Sequence, residues 1–394
     1  MSNLEDNNIL KVIWILSRVS GFGIQRFKRL QEKAFDLSQL CHRDVLEDLS
    51  VQLGLGAEFI SQFENMRQAD DFEKEMDQCQ QRGIHILSLL DADYPKNLAM
   101  IYDPPLVLYV KGKLIHEDEA GVAVVGTRHP SAYGVRMANK FARELAQRGM
   151  TVISGLARGI DAEAHRGALL AHGRTIAVLG SGLDVVYPKE HVALYEQIVG
   201  TGAVISEFPL GTLPLAFNFP KRNRIICGLS LGVLVVEASQ RSGSLITASV
   251  ALEEGREVYA VPGQADSLTS LGTNQLIQKG AKLVASTDDI FDDLSPQVRA
   301  FLKVWRSQEK GDKSQEITSP SLKEKCLSGE SLSFGDESLL KLLAYQPLYF
   351  DEIVSKLGGN AEELHLHLTQ LELAGYLKRD FGGRYSQNEV MTKA

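Results

Sequence analysis

No stretch of this 394-residue chain is apolar over the roughly 18 residues needed to cross a bilayer, so no membrane contact is expected. Cysteine is scarce. Cys41, Cys79, Cys227 and Cys326 are scattered with no C-x-x-C pair, which fits reduced thiols better than a disulfide framework or zinc. The histidines are dispersed as well, and nothing in the pattern resembles a metal cluster. Also missing are the G-x-G-x-x-G turn of dinucleotide folds and the G-x-x-x-x-G-K-[ST] loop of Walker-type ATP sites. No cofactor is therefore expected. Positive charge is not in excess either: 42 Lys and Arg stand against 50 Asp and Glu, a net charge of −8. Contact with a polyanion would need a local basic patch on an acidic body. The opening residues, Met1-Ser-Asn-Leu-Glu-Asp-Asn7, are acidic and polar, unlike a secretory signal, and the expected location is the cytoplasm.

What is present is the pattern of a globular protein of two or three domains, with 44% hydrophobic and 23% charged residues. Residues 1–81 read as helical, broken by Gly21-Phe-Gly23 and by Gly54-Leu-Gly56. Helix, glycine hairpin, helix is the look of a SAM-like or helix-hairpin-helix module. Such a hairpin could touch a phosphate with its backbone N–H groups, helped by Arg26, Lys28 and Arg29, or it could be a plain helical bundle with glycine caps. Over 82–306 the period changes. Two short strands precede a regular alternation, in which Val122–Val125, Thr151–Ser154, Thr175–Leu179, Ala203–Ser206, Gly232–Glu237, Glu257–Val261 and Ala281–Ala285 are strands separated by helices. Continuous β-branched runs of this kind mean a sheet buried on both faces. The expectation is an α/β, extended Rossmann-like, doubly wound and mainly parallel sheet with extra strands at its N-terminal edge. Residues 307–333, rich in Ser, Lys, Glu and Gln, read as a solvated linker. Residues 334–394 read as three helices and a hairpin around Gly382-Gly383, a small winged-helix domain.

Ligands of doubly wound folds sit at the carboxyl ends of the strands, so those loops carry the functional reading. Gly126-Thr127-Arg128 opens a helix and could present N–H groups and a cation to a phosphate. Ser154-Gly155-Leu-Ala-Arg158-Gly159-Ile-Asp161 has two glycines that allow close backbone approach. Asp161 and His165 share a helical face and could be an acid/base pair, but a dipole-stabilising Asp and a structural His is the stronger reading. Lys189 follows Tyr187-Pro188, and Glu207 at a strand end is suited to holding an Arg in place. Phe219-Pro220-Lys221-Arg222-Asn223-Arg224 sets three cations in four residues beside an aromatic and reads as a basic turn. Ser242-Gly243-Ser244 supplies a helix cap and another nest of N–H groups. Several strand-end loops carrying Gly or Ser with a cation nearby point to an extended, phosphate-bearing ligand.

Together, Val125-Gly-Thr-Arg128, Ser154 to Asp161, Tyr187-Pro188, Ser206-Glu207, Phe219 to Ile225, Ser242-Gly-Ser244 and Pro262-Gly263 resemble the DNA-processing protein A (DprA/Smf) family. The resemblance runs from about Asp93 to about Asp289. It implies a non-enzymatic protein of natural transformation that binds single-stranded DNA, loads the RecA recombinase and acts as a homodimer. It further implies DNA contact by Arg128 and by the Phe219–Arg224 segment. Where some members have a lysine just before that segment, this chain has Leu215 and Ala216, so Lys189 or Lys221 is a candidate replacement. The third helix of the winged-helix region, Ala361 to Leu373, carries acids and no Lys or Arg, which favours contact with protein; Lys378, Arg379 and Arg384 in the wing are the case for DNA. The competing enzyme reading is a Rossmann-type nucleotide hydrolase of the lysine-decarboxylase-like (LOG) phosphoribohydrolase class. Those proteins resemble P-G-G-x-G-T-x-x-E, whereas Pro262-Gly263 here continues Gln-Ala-Asp-Ser.

Overall fold

A computed structural model of the chain describes residues 2–32, 35–294 and 298 and, toward the C-terminus, 343, 348, 350–357, 364, 368, 371, 377–379 and 385–387. It divides into two compact units, Met1–Gly311 and Asp312–Ala394.

The first unit begins with five helices: α1 (Ser2–Leu16), α2 (Ile24–Glu32), α3 (Arg43–Gln52), α4 (Ala57–Gln68) and α5 (Asp71–Gln81). Both glycine breaks expected from the sequence are there, and each leads into a helix, α2 and α4. Strands and helices then follow: β1 (Ile84–Ser88), α6 (Lys96–Ala99), β2 (Val107–Gly112), β3 (Gly121–Val125), α7 (Ala132–Gln147), β4 (Thr151–Ser154), α8 (Ile160–Leu170), β5 (Thr175–Val178), α9 (Val192–Thr201) and β6 (Ala203–Ser206). The series closes with α10 (Asn218–Leu229), β7 (Gly232–Val235), α11 (Gly243–Glu253), β8 (Glu257–Ala260), α12 (Leu271–Gln278), β9 (Lys282–Leu283) and α13 (Thr287–Phe291).

The sheet order is β1-β2-β6-β5-β4-β3-β7-β8-β9. The seven strands from β6 to β9 in that order run parallel, and β1 and β2 are antiparallel additions at one edge. This is the extended, mainly parallel sheet that the apolar runs predict. Alternate residues of each strand feed opposite layers. Val122, Val124, Val152 and Leu234 pack with α7 and α8, while Ala123, Val125, Ile153 and Val233 pack with α10 and α11. The strand order reverses at β3, because β4 to β6 lie on one side of it and β7 to β9 on the other. The crevice between the carboxyl ends of β3 and β7 is thus the topological switch point, where this class of fold binds its ligands.

The helical N-terminal region does not stand apart from the sheet. One apolar cluster runs from Trp14, Phe27 and Phe63 through to Tyr109, Tyr195 and Val204. Arg18 seals the junction: its Nη2 donates to both Glu75 oxygens, at 3.0 and 2.9 Å, and to the Tyr109 hydroxyl at 2.7 Å.

Among the described residues no helix is long and apolar enough to cross a membrane. Cys41, Cys79 and Cys227 are free thiols, and burial pushes both Cys79 and Cys227 up to about 12.

In the second unit, α14 (Phe350–Leu357) packs near an antiparallel hairpin of β10 (Leu377–Arg379) and β11 (Tyr385–Gln387). Leu348 and Tyr385 exchange both backbone hydrogen bonds, at 3.0 and 2.8 Å, which adds a third short edge. Leu364, Leu368 and Leu371 are helical, at the spacing of one buried face. The remainder of the expected third helix, most of the helix around Leu339–Leu343, the linker 307–333, and Gly382, Gly383 and Arg384 lie outside the described residues.

Two polar arrangements, one fully buried and one partly buried, tie helices to the sheet layer. On α8, His165 is fully buried and its Nδ1 lies 2.7 Å from the Thr175 hydroxyl of β5. That hydroxyl donates its only proton to Val152 O at 2.7 Å, so the histidine Nδ1–H is the donor. Burial, with help from His191 and Arg222, depresses the imidazole to about 3. Arg224 on α10 donates to Glu207 at 2.5 Å and reaches Asp103 at 3.2 Å, tying the helix to the loop after β6. Burial raises the Glu207 carboxyl, and the Arg224 guanidinium opposes that rise without cancelling it.

Both arrangements are testable. Because the His165 imidazole stays neutral in the fold while an unfolded histidine protonates below about 6.5, stability is complete above that pH and falls as the solution is acidified. The loss should reach about 2 kcal/mol by about pH 5, measured as the midpoint of urea unfolding, and His165→Asn should flatten that slope. Arg224→Ala strands the Glu207 carboxylate and should cost about 3 kcal/mol in the same assay. Glu207→Gln in the Arg224→Ala background should recover part of it, and strict additivity of the two changes would refute the coupling.

Candidate nucleic-acid interface

A cavity of about 670 Å³ opens at the switch point. Its walls come from the loop after β3, the loops after β4 and β5, the first two turns of α10 and the N-terminus of α11.

The cation-rich stretch read from the sequence as a basic turn is the beginning of α10. Pro220 is the third residue of that helix, where its missing N–H costs nothing because first-turn N–H groups have no intrahelical partner. The helical period then sorts the side chains. Phe219, Arg222, Asn223 and Ile226 follow the i, i+3, i+4, i+7 spacing of one face, and all four line the cavity. Lys221 and Arg224 fall on the other half of the helix. Arg224 makes the Glu207 brace, and Lys221 is exposed with its Nζ 5.8 Å from the Phe217 ring centroid.

Arg222 is 4% exposed. One terminal nitrogen donates to Gly155 O at 2.6 Å and to Val178 O, so the guanidinium is fixed across the ends of β4 and β5. Burial lowers it to about 10, with Asp161 acting in the opposite direction, so it stays cationic at neutral pH. Gly155 is required by this approach, because a Cβ there would overlap the guanidinium.

Phe219 has two cations near its ring: the Arg222 Cζ is 5.9 Å from its centroid and the Arg128 Cζ 5.3 Å. Tyr187 meets the same ring, centroids 6.0 Å apart and planes at 48°. Tyr187 is a lining residue that spacing alone did not single out as a site position. Its only sequence signal was its place in the Tyr187-Pro188 motif.

The Arg128 loop is built on a buried carboxylate. Glu237, 1% exposed, follows β7 and accepts from Ser131 N at 2.9 Å and from the Thr269 hydroxyl, while its own carbonyl accepts from Thr127 N at 2.7 Å. Gly159, with φ +78°, lies so close to the Thr127 and Arg128 backbone that a Cβ would collide with it. The loop is therefore gripped from β7 and from the start of α8, while the Arg128 side chain remains exposed. Opposite it, the Ser242 hydroxyl accepts from Ser244 N at 3.3 Å and caps α11, whose N-terminal residues Ser242, Gly243 and Ser244 face the cavity. An 11-residue helix end of this kind presents orphan N–H groups and partial positive charge.

Of the other positions expected from the sequence, Ser154 is fully buried and donates to Val124 O at 2.7 Å. Arg158 pairs with Glu190 at 2.5 Å on the surface, and Lys189 is exposed in a short 3-10 turn. Neither lines the cavity. Asp161 does line it, and is the one carboxylate among the described lining residues. Burial raises it, opposed by Arg222 and by the N–H groups of Ala157 and Gly155, the latter donating at 3.2 Å. Asp161 is not hydrogen-bonded to His165, whose Nδ1 is committed to Thr175, and His165 is not a lining residue. The pair the sequence placed on one helical face is not an acid/base couple. Among the described residues no group of three or more His, Cys, Asp or Glu could hold a metal.

The family model described as DNA recombination-mediator protein A matches residues 85–295, and that of the DprA winged helix domain matches residues 328–383. Protein Smf of Synechocystis is 35% identical over 96% of this chain and 99% of its own length. DNA processing protein DprA of Streptococcus pneumoniae is 49% identical over 52% of this chain and 72% of its own length. The X-ray structure of DNA processing protein A from Streptococcus pneumoniae superposes with a TM-score of 0.63 at 39% identity, over 73% of this chain and 98% of that one. A doubly wound sheet with a gripped Gly-Thr-Arg loop, a helix that opens on Phe-Pro-Lys-Arg-Asn-Arg and a C-terminal winged helix is the chain of a DNA recombination-mediator protein A (DprA/Smf) family member.

Proposed function

We propose that this chain holds single-stranded DNA in the switch-point cavity, without cleaving it, and passes the strand to the RecA recombinase during natural transformation. It would act in the cytoplasm as a homodimer joined through the Rossmann-like domain. In this reading residues 1–81 are a helical module, 82–306 the DNA-holding domain, 307–333 a linker and 334–394 the winged-helix domain.

The observation that carries the proposal is Phe219 with both Arg128 and Arg222 near its ring, and the N-terminus of α11 lining the same cavity. A ring edged by cations suits an unstacked base flanked by phosphates, and stacking of that kind contributes roughly 1–3 kcal/mol per base. In duplex DNA the base faces are covered, and nothing described here is a helix placed for a major groove. Arg128, Phe219, Asn223, Ser242, Gly243 and Ser244 contact the strand in this reading. Gly126, Thr127, Ser154, Gly155, Gly159, Arg222 and Arg224 position them, and Arg158, Lys189 and Lys221 are flanking surface cations. Against a hydrolase stands the state of Asp161, which is occupied by backbone N–H groups and has no histidine partner.

Fluorescence anisotropy with oligo-dT tests this. Affinity should rise with oligonucleotide length, exceed that for duplex of equal length, and fall with salt by roughly 0.7 log units per decade for each phosphate contacted. Phe219→Ala should weaken binding about tenfold or more. Arg128→Ala should weaken it and make the salt slope shallower by about 0.7. Wild-type affinity in both variants would mean the cavity is the wrong site, and nucleotide hydrolysis abolished by Asp161→Ala would favour the enzyme.

A further inference from the structure

The Arg128 loop runs straight into α7, capped by Ser131, whose hydroxyl accepts from Gly134 N at 3.1 Å. Along the outward face of that helix stand Arg136, Lys140 and Arg143, at i, i+4 and i+7, with Asn139 and Gln147 on the same face. Arg136, Lys140, Arg143 and Gln147 are exposed. They border a shallow depression of about 450 Å³ separate from the switch-point cavity.

Two features mark this stripe as more than a solvated helix face. Eight arginines of the unit, Arg18, Arg43, Arg67, Arg148, Arg158, Arg166, Arg174 and Arg224, each pair with a carboxylate, whereas the cations of this stripe do not. Arg136, Lys140 and Arg143 form no ion pair with the described residues, on a protein whose net charge is −8. The helix also forgoes the usual i,i+4 pairing, because Arg136 faces Lys140 and Arg143 faces Gln147. Glu144, the acid that borders the depression and follows Lys140 by four, accepts instead from the Thr287 hydroxyl at 3.0 Å. The second feature is continuity. The cations at 128, 136, 140 and 143 form one series from the mouth of the cavity down a rigid helix, and the last three span about 10 Å.

We propose that the outer face of α7 is a second, sequence-independent DNA track that carries the phosphates of the strand as it leaves the cavity. The inference rests on the single-strand reading of the cavity and adds a direction to it: the strand exits past Arg128 and along α7, with its bases turned to solvent. Neutral Asn139 and Gln147 supply hydrogen-bond donors between the cations, and no aromatic residue is among those that border the depression.

The test compares oligo-dT of about 6 and about 30 nucleotides on the full chain, with wild type, Arg136→Glu/Lys140→Glu/Arg143→Glu, the matching triple glutamine variant and Arg128→Ala. Both triple variants should bind the short oligonucleotide within about twofold of wild type, lose about tenfold on the long one, and show a long-oligonucleotide salt slope shallower by about 2. Thermal melting checks that these surface changes leave the fold intact, and the glutamine variant supplies the answer if the glutamate one does not fold. Wild-type affinity of the triple variants for the long strand overturns the track. So does an equal loss on both lengths, which would mean a general field effect. Failure of the cavity reading looks different: Arg128→Ala would leave the short oligonucleotide bound as in wild type, or wild type would bind neither.

Discussion

A buried guanidinium needs its hydrogen bonds satisfied by the protein, since water no longer can, and much of the candidate site follows from that requirement at Arg222. Its inner nitrogen donates to the carbonyls of Gly155 and Val178, at the ends of adjacent strands β4 and β5. Meeting them fixes how far α10 leans over the sheet, excludes any side chain at position 155, and places Phe219 one turn away on the same face. Lysine could not substitute, because a single ammonium would lose its charge more readily on burial and lacks the planar fork that bonds in one direction while stacking in another. At neutral pH the position therefore keeps a fixed positive charge whose hydrogen bonds go to the strand ends while its Cζ lies 5.9 Å from the aromatic ring centroid.

The frame was legible in the sequence because parallel strands covered on both faces appear as unbroken apolar runs, as at Val122–Val125 and Gly232–Val235. The strand-end loops were legible for the same reason, since each begins where such a run stops. What the sequence concealed was the helical state of Phe219–Arg224. A proline two residues after Asn218 and a block of cations look like a turn, and the block has no apolar periodicity until Ile225. Without the helix, Lys221, Arg222 and Arg224 are equivalent; with it, their 100° steps send one inward, one to Glu207 and one to solvent.

Other parts were hidden because they depend on register between distant strands. Glu237 follows β7 and holds the loop after β3 only because β3 and β7 pair with Val125 beside Val235. Its 106-residue separation from Ser131 leaves no local trace. Thr175 looked like an ordinary strand residue, yet its hydroxyl decides the tautomer of His165 and removes that histidine from any partnership with Asp161.

On the proposed reading, the site explains how an acidic protein could favour a polyanion. Net charge governs the far field, which salt screens within about 8 Å at physiological strength. Inside the cavity the relevant charges are nearer than that: Arg128 and Arg222 both near one ring, the α11 N-terminus, and, among the described lining residues, a single carboxylate already engaged by backbone N–H groups. The two loops that frame the crevice adjoin helices on opposite faces of the sheet, so one offers an exposed cation and the other N–H dipoles. A ligand that satisfies the cation, the dipoles and the ring together must alternate anionic groups with flat apolar ones at close spacing. A small dinucleotide meets that description as well as a strand does, but the fold lacks the glycine fingerprint that lets a pyrophosphate settle on the first helix. That contrast is why the proposed ligand is a polymer of phosphates with its bases exposed.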